Sequence, residues 1–391
     1  MANLLIIEDL AGTNEVKLTL NSDTNISQSA TTSFQIPLET TDRDEIHWYF
    51  SQYLSEASDN SSQRAEAIEA GLRNLGRLLF EKLLQAETNG TSLYKLATDE
   101  GLENCRAIIR SDRPEFLSIP WELINEPEQG YLISKMPSIV RQPINHVVIP
   151  SPTDLPNDQL NVLMIAPRPQ LGDYSLSGGL TAETAQSLEA LPVQAELEYL
   201  YPPTYENLKS TLTSKANYYH VLHIDGSIVS SDNDSIAFEQ VDGSQDLVDI
   251  QELAKCVNTA GIPTIIANYG PVSRENPWPG PPAISLKLSA AGISNIISLP
   301  YPIQSPSGEK FLRKFYTSLS EGLEVSRCVA ESRGLLMNDP NRITSNGKHI
   351  FWDWITPTIY ESNLYQSSAI TIDEPDPVSY THLTLPTSDL V

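Results

Sequence analysis

From about residue 160 onward the chain alternates short apolar runs with longer amphipathic ones. Runs at 162–166, 195–200, 218–224, 264–268 and 295–299 have strand length. The segment Thr264-Ile265-Ile266-Ala267 shows no polar alternation, the pattern of a strand covered on both faces. Between these runs the apolar period lengthens, predicting helices at 182–191, 205–212, 247–257, 283–291, 309–319 and 324–337. Gly292 and Gly322 stand where helix C-terminal caps belong. Strands that alternate with helices predict a mostly parallel sheet sandwiched by helices, an α/β fold.

The first 145 residues read differently, as a smaller α+β unit. Val16-Lys17-Leu18-Thr19-Leu20 and Phe34-Gln35-Ile36-Pro37-Leu38 alternate in short bursts, predicting two strands around a Ser/Thr/Asn-rich turn. From 62 to 87 the period becomes helical: Ile68, Leu72, Leu75, Leu79 and Leu83 form one stripe, with Arg64, Glu66, Arg73 and Lys82 off it. Cys105 precedes 106–110, a further strand. The polar, proline-bearing stretch 150–158 reads as a linker between an N-terminal unit, 1–145, and an α/β domain, 158–360. Residues 361–376 form a tail. The last segment, 377–391, includes Pro377-Val378-Ser379-Tyr380-Thr381-His382-Leu383-Thr384-Leu385-Pro386, which resembles a translated sequencing adaptor. The expectation is that from about Ile370 onward the chain makes no contact with the core.

Composition narrows the function. Lys plus Arg total 25 against 50 for Asp plus Glu, a net charge of −25. That balance opposes binding to a phosphate backbone, so no nucleic-acid partner is expected. No apolar stretch approaches the ~20 residues of a membrane span, and the N-terminus lacks the basic start of a secretory signal. Three scattered cysteines, Cys105, Cys256 and Cys328, form no paired framework and fit core thiols in a reducing cytoplasm. The six histidines make no metal-ligand spacing, so neither a metal nor a cofactor is expected.

Specific motifs carry a resemblance. Ile119-Pro120-Trp121-Glu122-Leu123-Ile124, then Gly130-Tyr131-Leu132, then Ser138-Ile139-Val140-Arg141, is similar to the "LPWELL … yL … siVR" entry of CHAT domains. His47-Trp48-Tyr49-Phe50 and Leu75-Gly76-Arg77-Leu78-Leu79-Phe80 resemble two further segments of that family, as do Tyr219 to Gly226 and the stretch from Ala291 to Gly322. CHAT domains are caspase-like, in the clan of caspases, separases and gingipains. Within the motif, Trp121 reads as a packed aromatic, and Glu122 as an internally bonded acid with Arg141 as its candidate partner.

The resemblance implies a cysteine peptidase with its dyad at the C-terminal ends of two neighbouring strands. In this sequence the histidine slot reads Asp225-Gly226-Ser227-Ile228 and the cysteine slot Ala267-Asn268-Tyr269-Gly270. Ser227 and Tyr269 therefore stand in the two catalytic positions, with Asn268 as the alternative if the alignment shifts by one. A hydroxyl cannot act as the base near neutral pH, and a phenol with pKa ~10 is a poor nucleophile toward amides. His223 shares a strand face with Asp225 and Ser227 and reads as a buried imidazole; His220 falls on the opposite face. The loop carrying Arg274 and Trp278 has two open readings: a rigid aromatic binding edge, or a stiffened connection that shields the indole.

The expectation is a non-catalytic caspase-like module with a protein or peptide partner. Two rivals are an active cysteine endopeptidase whose dyad lies elsewhere and a binding pocket that reuses the substrate cleft.

Overall fold

The computed structural model describes residues 3–362, apart from 23–26, 56–57, 86–87, 150–151, 153, 170–179, 227, 230–234, 270–279, 302, 304 and 345–346, together with 370 and 372. One sheet of eleven strands forms the frame. Its N-terminal strands are β1 (Asn3–Leu10), β2 (Glu15–Asn21), β3 (Ser27–Ser33), β4 (Cys105–Arg110) and β5 (Ile139–Gln142). The rest are β6 (Leu160–Ile165), β7 (Ala195–Tyr199), β8 (Val221–Asp225), β9 (Thr264–Asn268), β10 (Asn295–Leu299) and β11 (Thr358–Glu361). Their order across the sheet is β3-β2-β1-β4-β5-β11-β10-β9-β8-β6-β7.

Strands β6 to β10 are mutually parallel, with β8 and β9 inside that set and both fully buried, as their uninterrupted apolar character requires. Strand β11 runs antiparallel to β10 but parallel to β5, so four residues close to the C-terminal end of the fold join the two halves of the sheet. The sheet therefore runs on through both 1–145 and 158–360.

The helices are α1 (Thr40–Ser51), α2 (Asp59–Phe80), α3 (Thr88–Thr98), α4 (Thr181–Glu189), α5 (Tyr205–Ser214), α6 (Ile250–Thr259), α7 (Gly280–Ala290), α8 (Ser305–Ser320) and α9 (Val325–Asn338). The stripe of α2 is buried at Ile68, Leu72, Leu75 and Leu79. Gly76 lies on that face because α2 presses against the turn at Trp121–Leu123: a Cβ at residue 76 would stand 2.0 Å from the Leu123 carbonyl oxygen. Gly292 and Gly322 adopt φ values of 100° and 79°, the left-handed caps that end α7 and α8.

Several expectations are corrected. Residues 34–38 are not a strand; the strand is Ser27–Ser33, whose polar composition hides it, while Phe34 packs on Phe116 and Trp121. The expected helix at 247–257 begins only at Ile250, because residues 245–249 pair in a small three-stranded sheet. Asp249 then caps the helix by accepting from the Gln251 and Glu252 amides. Strands β1 and β11 and helix α1 were not expected at all. Ile370 and Ile372 are buried, against the expectation that the chain leaves the core from about residue 370. Residues 377–391 lie outside the described residues.

A buried ion cluster fixes the middle of the sheet. Arg141 on β5 donates both terminal nitrogens to Glu122, at 2.6 and 2.9 Å, and donates also to the carbonyls of Leu117 and Ile119. Arg333 on α9 approaches the same carboxylate at 3.8 Å and donates to the carbonyls of Trp354 and Pro357, just ahead of β11. The Trp121 indole donates to the Phe116 carbonyl at 2.9 Å. The two guanidiniums hold the Glu122 carboxyl below its usual range although burial alone would raise it. Removing the anion leaves two buried cations facing each other. Glu122→Ala is therefore expected to lower unfolding free energy by about 3–5 kcal/mol; a loss under about 1 kcal/mol in urea titration would refute the role given to the cluster.

Candidate functional site

The C-terminal ends of β8 and β9 lie side by side in parallel register, Asp225 beside Asn268. The ladder runs one residue further, the Gly226 amide donating to the Asn268 carbonyl at 3.1 Å and the Tyr269 amide to the Leu299 carbonyl at 3.3 Å. Strand alternation then sorts the side chains onto two faces.

On the α4 side stand His223, Asp225 and Asn268. The Asp225 carboxylate accepts from the Asn268 amide nitrogen (2.8 Å), the Arg168 guanidinium (3.1 Å), the Leu180 backbone amide (2.9 Å) and the Thr181 hydroxyl (3.1 Å). Arg168 also donates to the Asp225 carbonyl. Leu180 caps α4 and has no side-chain oxygen to offer, so a carboxylate from another strand satisfies the first amide and meets the positive end of the helix. Asp225 is thus occupied on both oxygens and is almost wholly buried.

Beneath it, His223 is fully buried. Thr184 on α4 has one hydroxyl proton, which goes to the Leu180 carbonyl at 2.7 Å, so the contact of 3.2 Å to His223 Nδ1 requires the imidazole to donate. That leaves Nε2 unprotonated and without a partner among the described residues. Burial pushes the imidazole pKa down to about 4, with Asp225 opposing.

Tyr269 turns to the other face. It is buried, its hydroxyl lies 3.0 Å from the Ser285 hydroxyl on α7, and desolvation drives its phenol well above the usual range. Of the two residues expected at the cysteine slot, Asn268 is the one that shares a face with His223 and Asp225. Ser227, Arg274 and Trp278 lie outside the described residues. His220 sits on the opposite face from His223, Nδ1 accepting from the Asn161 amide at 3.0 Å and Nε2 against the Pro156 carbonyl at 2.8 Å.

The thiols are elsewhere. Cys105 lies buried on β4 and Cys328 buried on α9; desolvation raises each to about 12. Cys256 on α6 is half-buried and is also raised, burial being the main cause. A nucleophilic thiol needs the opposite environment, one that favours the thiolate. Sequence reasoning missed Arg168, Thr181, Thr184 and Ser285. Arg168 follows Ile165-Ala166-Pro167 at the end of β6, beside β8, and its place at a strand end was the available signal.

A mostly parallel sheet with helices against both faces and its candidate site at the strand C-termini defines an open α/β protein. The chain belongs to the CHAT family, whose domain matches residues 69–360. Among solved structures it is similar to separase of Saccharomyces cerevisiae in complex with securin, at 12% identity and a TM-score of 0.47, covering 92% of this chain. The chain spans 30% of the length of that separase chain. No curated protein matches it. No helix among the described residues is long and apolar enough to cross a membrane.

The depressed His223 pKa has a signed consequence. As pH falls below the ordinary value of 6.5, the unfolded chain takes up the proton first. Stability from the neutral imidazole is complete above about 6.5 and is lost as pH falls toward 4, a difference of about 3 kcal/mol. His223→Gln is expected to remove this share of the acid dependence; parallel stability curves for variant and parent from pH 7 to 4 would refute it.

Proposed function

We propose that this chain is a catalytically silent CHAT module that binds a protein or peptide partner. Ser227 and Tyr269 take the positions of the lost histidine and cysteine, and the loop bearing Arg274 and Trp278 contributes to binding. The observation that carries the reading is the network at the strand ends: Asp225 is engaged on both oxygens by Arg168, Asn268, Leu180 and Thr181, and the Tyr269 phenol is buried against α7. An acyl-transfer site needs a free base beside an ionisable nucleophile, and neither Asn268 nor Tyr269 supplies one. The net charge of −25 favours a partner with basic segments over a nucleic acid. Three unpaired thiols suit a reducing cytoplasm.

The rival, a working cysteine endopeptidase, meets the raised pKa of all three thiols. Incubation of the unmutated protein with Arg- and Lys-containing peptides is expected to give no turnover. Thiol-directed peptidase warheads are expected to leave Cys105 and Cys328 unlabelled until the protein is unfolded. Turnover abolished by changing a single one of Cys105, Cys256 or Cys328 to Ala would overturn the reading, since loss of one member of such a catalytic set costs several orders of magnitude.

A further inference from the structure

The two edges of the eleven-stranded sheet are built in opposite ways. At one edge β7 carries Glu196 and Glu198, the second paired with Lys215 and bonded by Tyr219. Charges on an edge strand discourage another chain from adding to it. At the other edge β3 reads Ser-Gln-Ser-Ala-Thr-Thr-Ser: no charge, no proline, and seven consecutive residues paired to β2 without a bulge. Such an edge lacks the charges, the proline and the bulge that commonly protect a rim strand.

Register shows which backbone groups it presents. The Phe34 amide donates to the Asn14 carbonyl at 2.7 Å, so residues 14 and 34 form a hydrogen-bonded pair in the register that sets Glu15 opposite Ser33. Antiparallel pairs alternate between bonded and non-bonded, so Gln28, Ala30 and Thr32 direct their amides and carbonyls to β2. Ser29, Thr31 and Ser33 direct theirs away from the sheet, and all three are exposed.

We propose that β3 is a strand-addition site that takes an extended, positively charged segment of a partner protein as a twelfth strand. Main-chain bonds to Ser29, Thr31 and Ser33 supply the attachment. The charge of the chain selects the occupant: two copies at −25 each repel, whereas a basic segment is drawn in. This extends the reading of the chain as an interaction module and names a surface separate from the ends of β8 and β9.

The test uses the full chain and two synthetic peptides of about twelve residues, one alternating Thr with Lys and one alternating Thr with Glu. Hydrogen exchange is followed at single amides, and binding by fluorescence anisotropy. The Lys peptide is expected to slow exchange at residues 29, 31 and 33 by about tenfold or more, and to bind about tenfold tighter than the Glu peptide at low salt, the preference fading as salt rises. Thr31→Pro removes an outward donor without touching a β2–β3 bond and should abolish the protection. Ser29→Lys, a milder change that leaves every backbone donor in place, should weaken the Lys peptide and not the Glu peptide. Absence of protection, equal binding of both peptides, or binding indifferent to both variants overturns the proposal. So does sedimentation of the chain as a dimer that Thr31→Pro dissociates, which would make a second copy the occupant. A chain that cleaves peptides and still shows edge protection overturns the silent-module reading alone.

Discussion

The buried carboxylate of Glu122 sets the geometry of this molecule. It lies between the guanidiniums of Arg141 and Arg333, all three out of solvent, so none of them tolerates loss of its partner. Each member belongs to a different element: the turn that α2 presses upon at Gly76, the strand β5, and the helix α9. Through Arg333 the cluster also holds the carbonyls that precede β11. That short strand is the seam of the sheet, antiparallel to β10 on one side and parallel to β5 on the other. A charge pair is thus coupled to the join between a parallel α/β half and a mixed N-terminal half. A second tie crosses the same seam, where Arg106 on β4 reaches Glu361 on β11 and Ser326 on α9.

With that frame fixed, the ends of β8 and β9 are placed where open α/β sheets present their chemistry. Asp225 ties β8 to β9 through Asn268, to β6 through Arg168, and to the start of α4 through Leu180 and Thr181. A carboxylate engaged on both oxygens holds these strand ends together. The cysteines, in turn, sit where burial favours the thiol.

One strand was concealed by its place at the edge of the sheet. A strand is legible when one face or both must be apolar, and Ser27–Ser33 satisfies neither condition because it lies at the rim. Strand β11 is hidden for another reason: Thr358-Ile359-Tyr360-Glu361 is too short to set a period, and its pairing partners lie some 60 and 220 residues away in sequence. The onset of α6 was misplaced because Leu247 and Val248 fit a helical stripe as well as a strand, and only the cap at Asp249 separates the two.

The sequence by itself determined the α/β alternation, the strands 264–268 and 295–299, the amphipathic stripe of α2, and the family. Those features follow from local hydrophobic period and residue type, which each segment carries alone. Tertiary structure alone decided that one sheet spans both halves, that Arg333 joins the Glu122–Arg141 pair, and that Asn268 shares a face with Asp225 while Tyr269 turns to α7. Each of these depends on register and on contacts between distant segments. A shift of one residue in a strand reverses every side chain, and nothing local in the sequence fixes that shift.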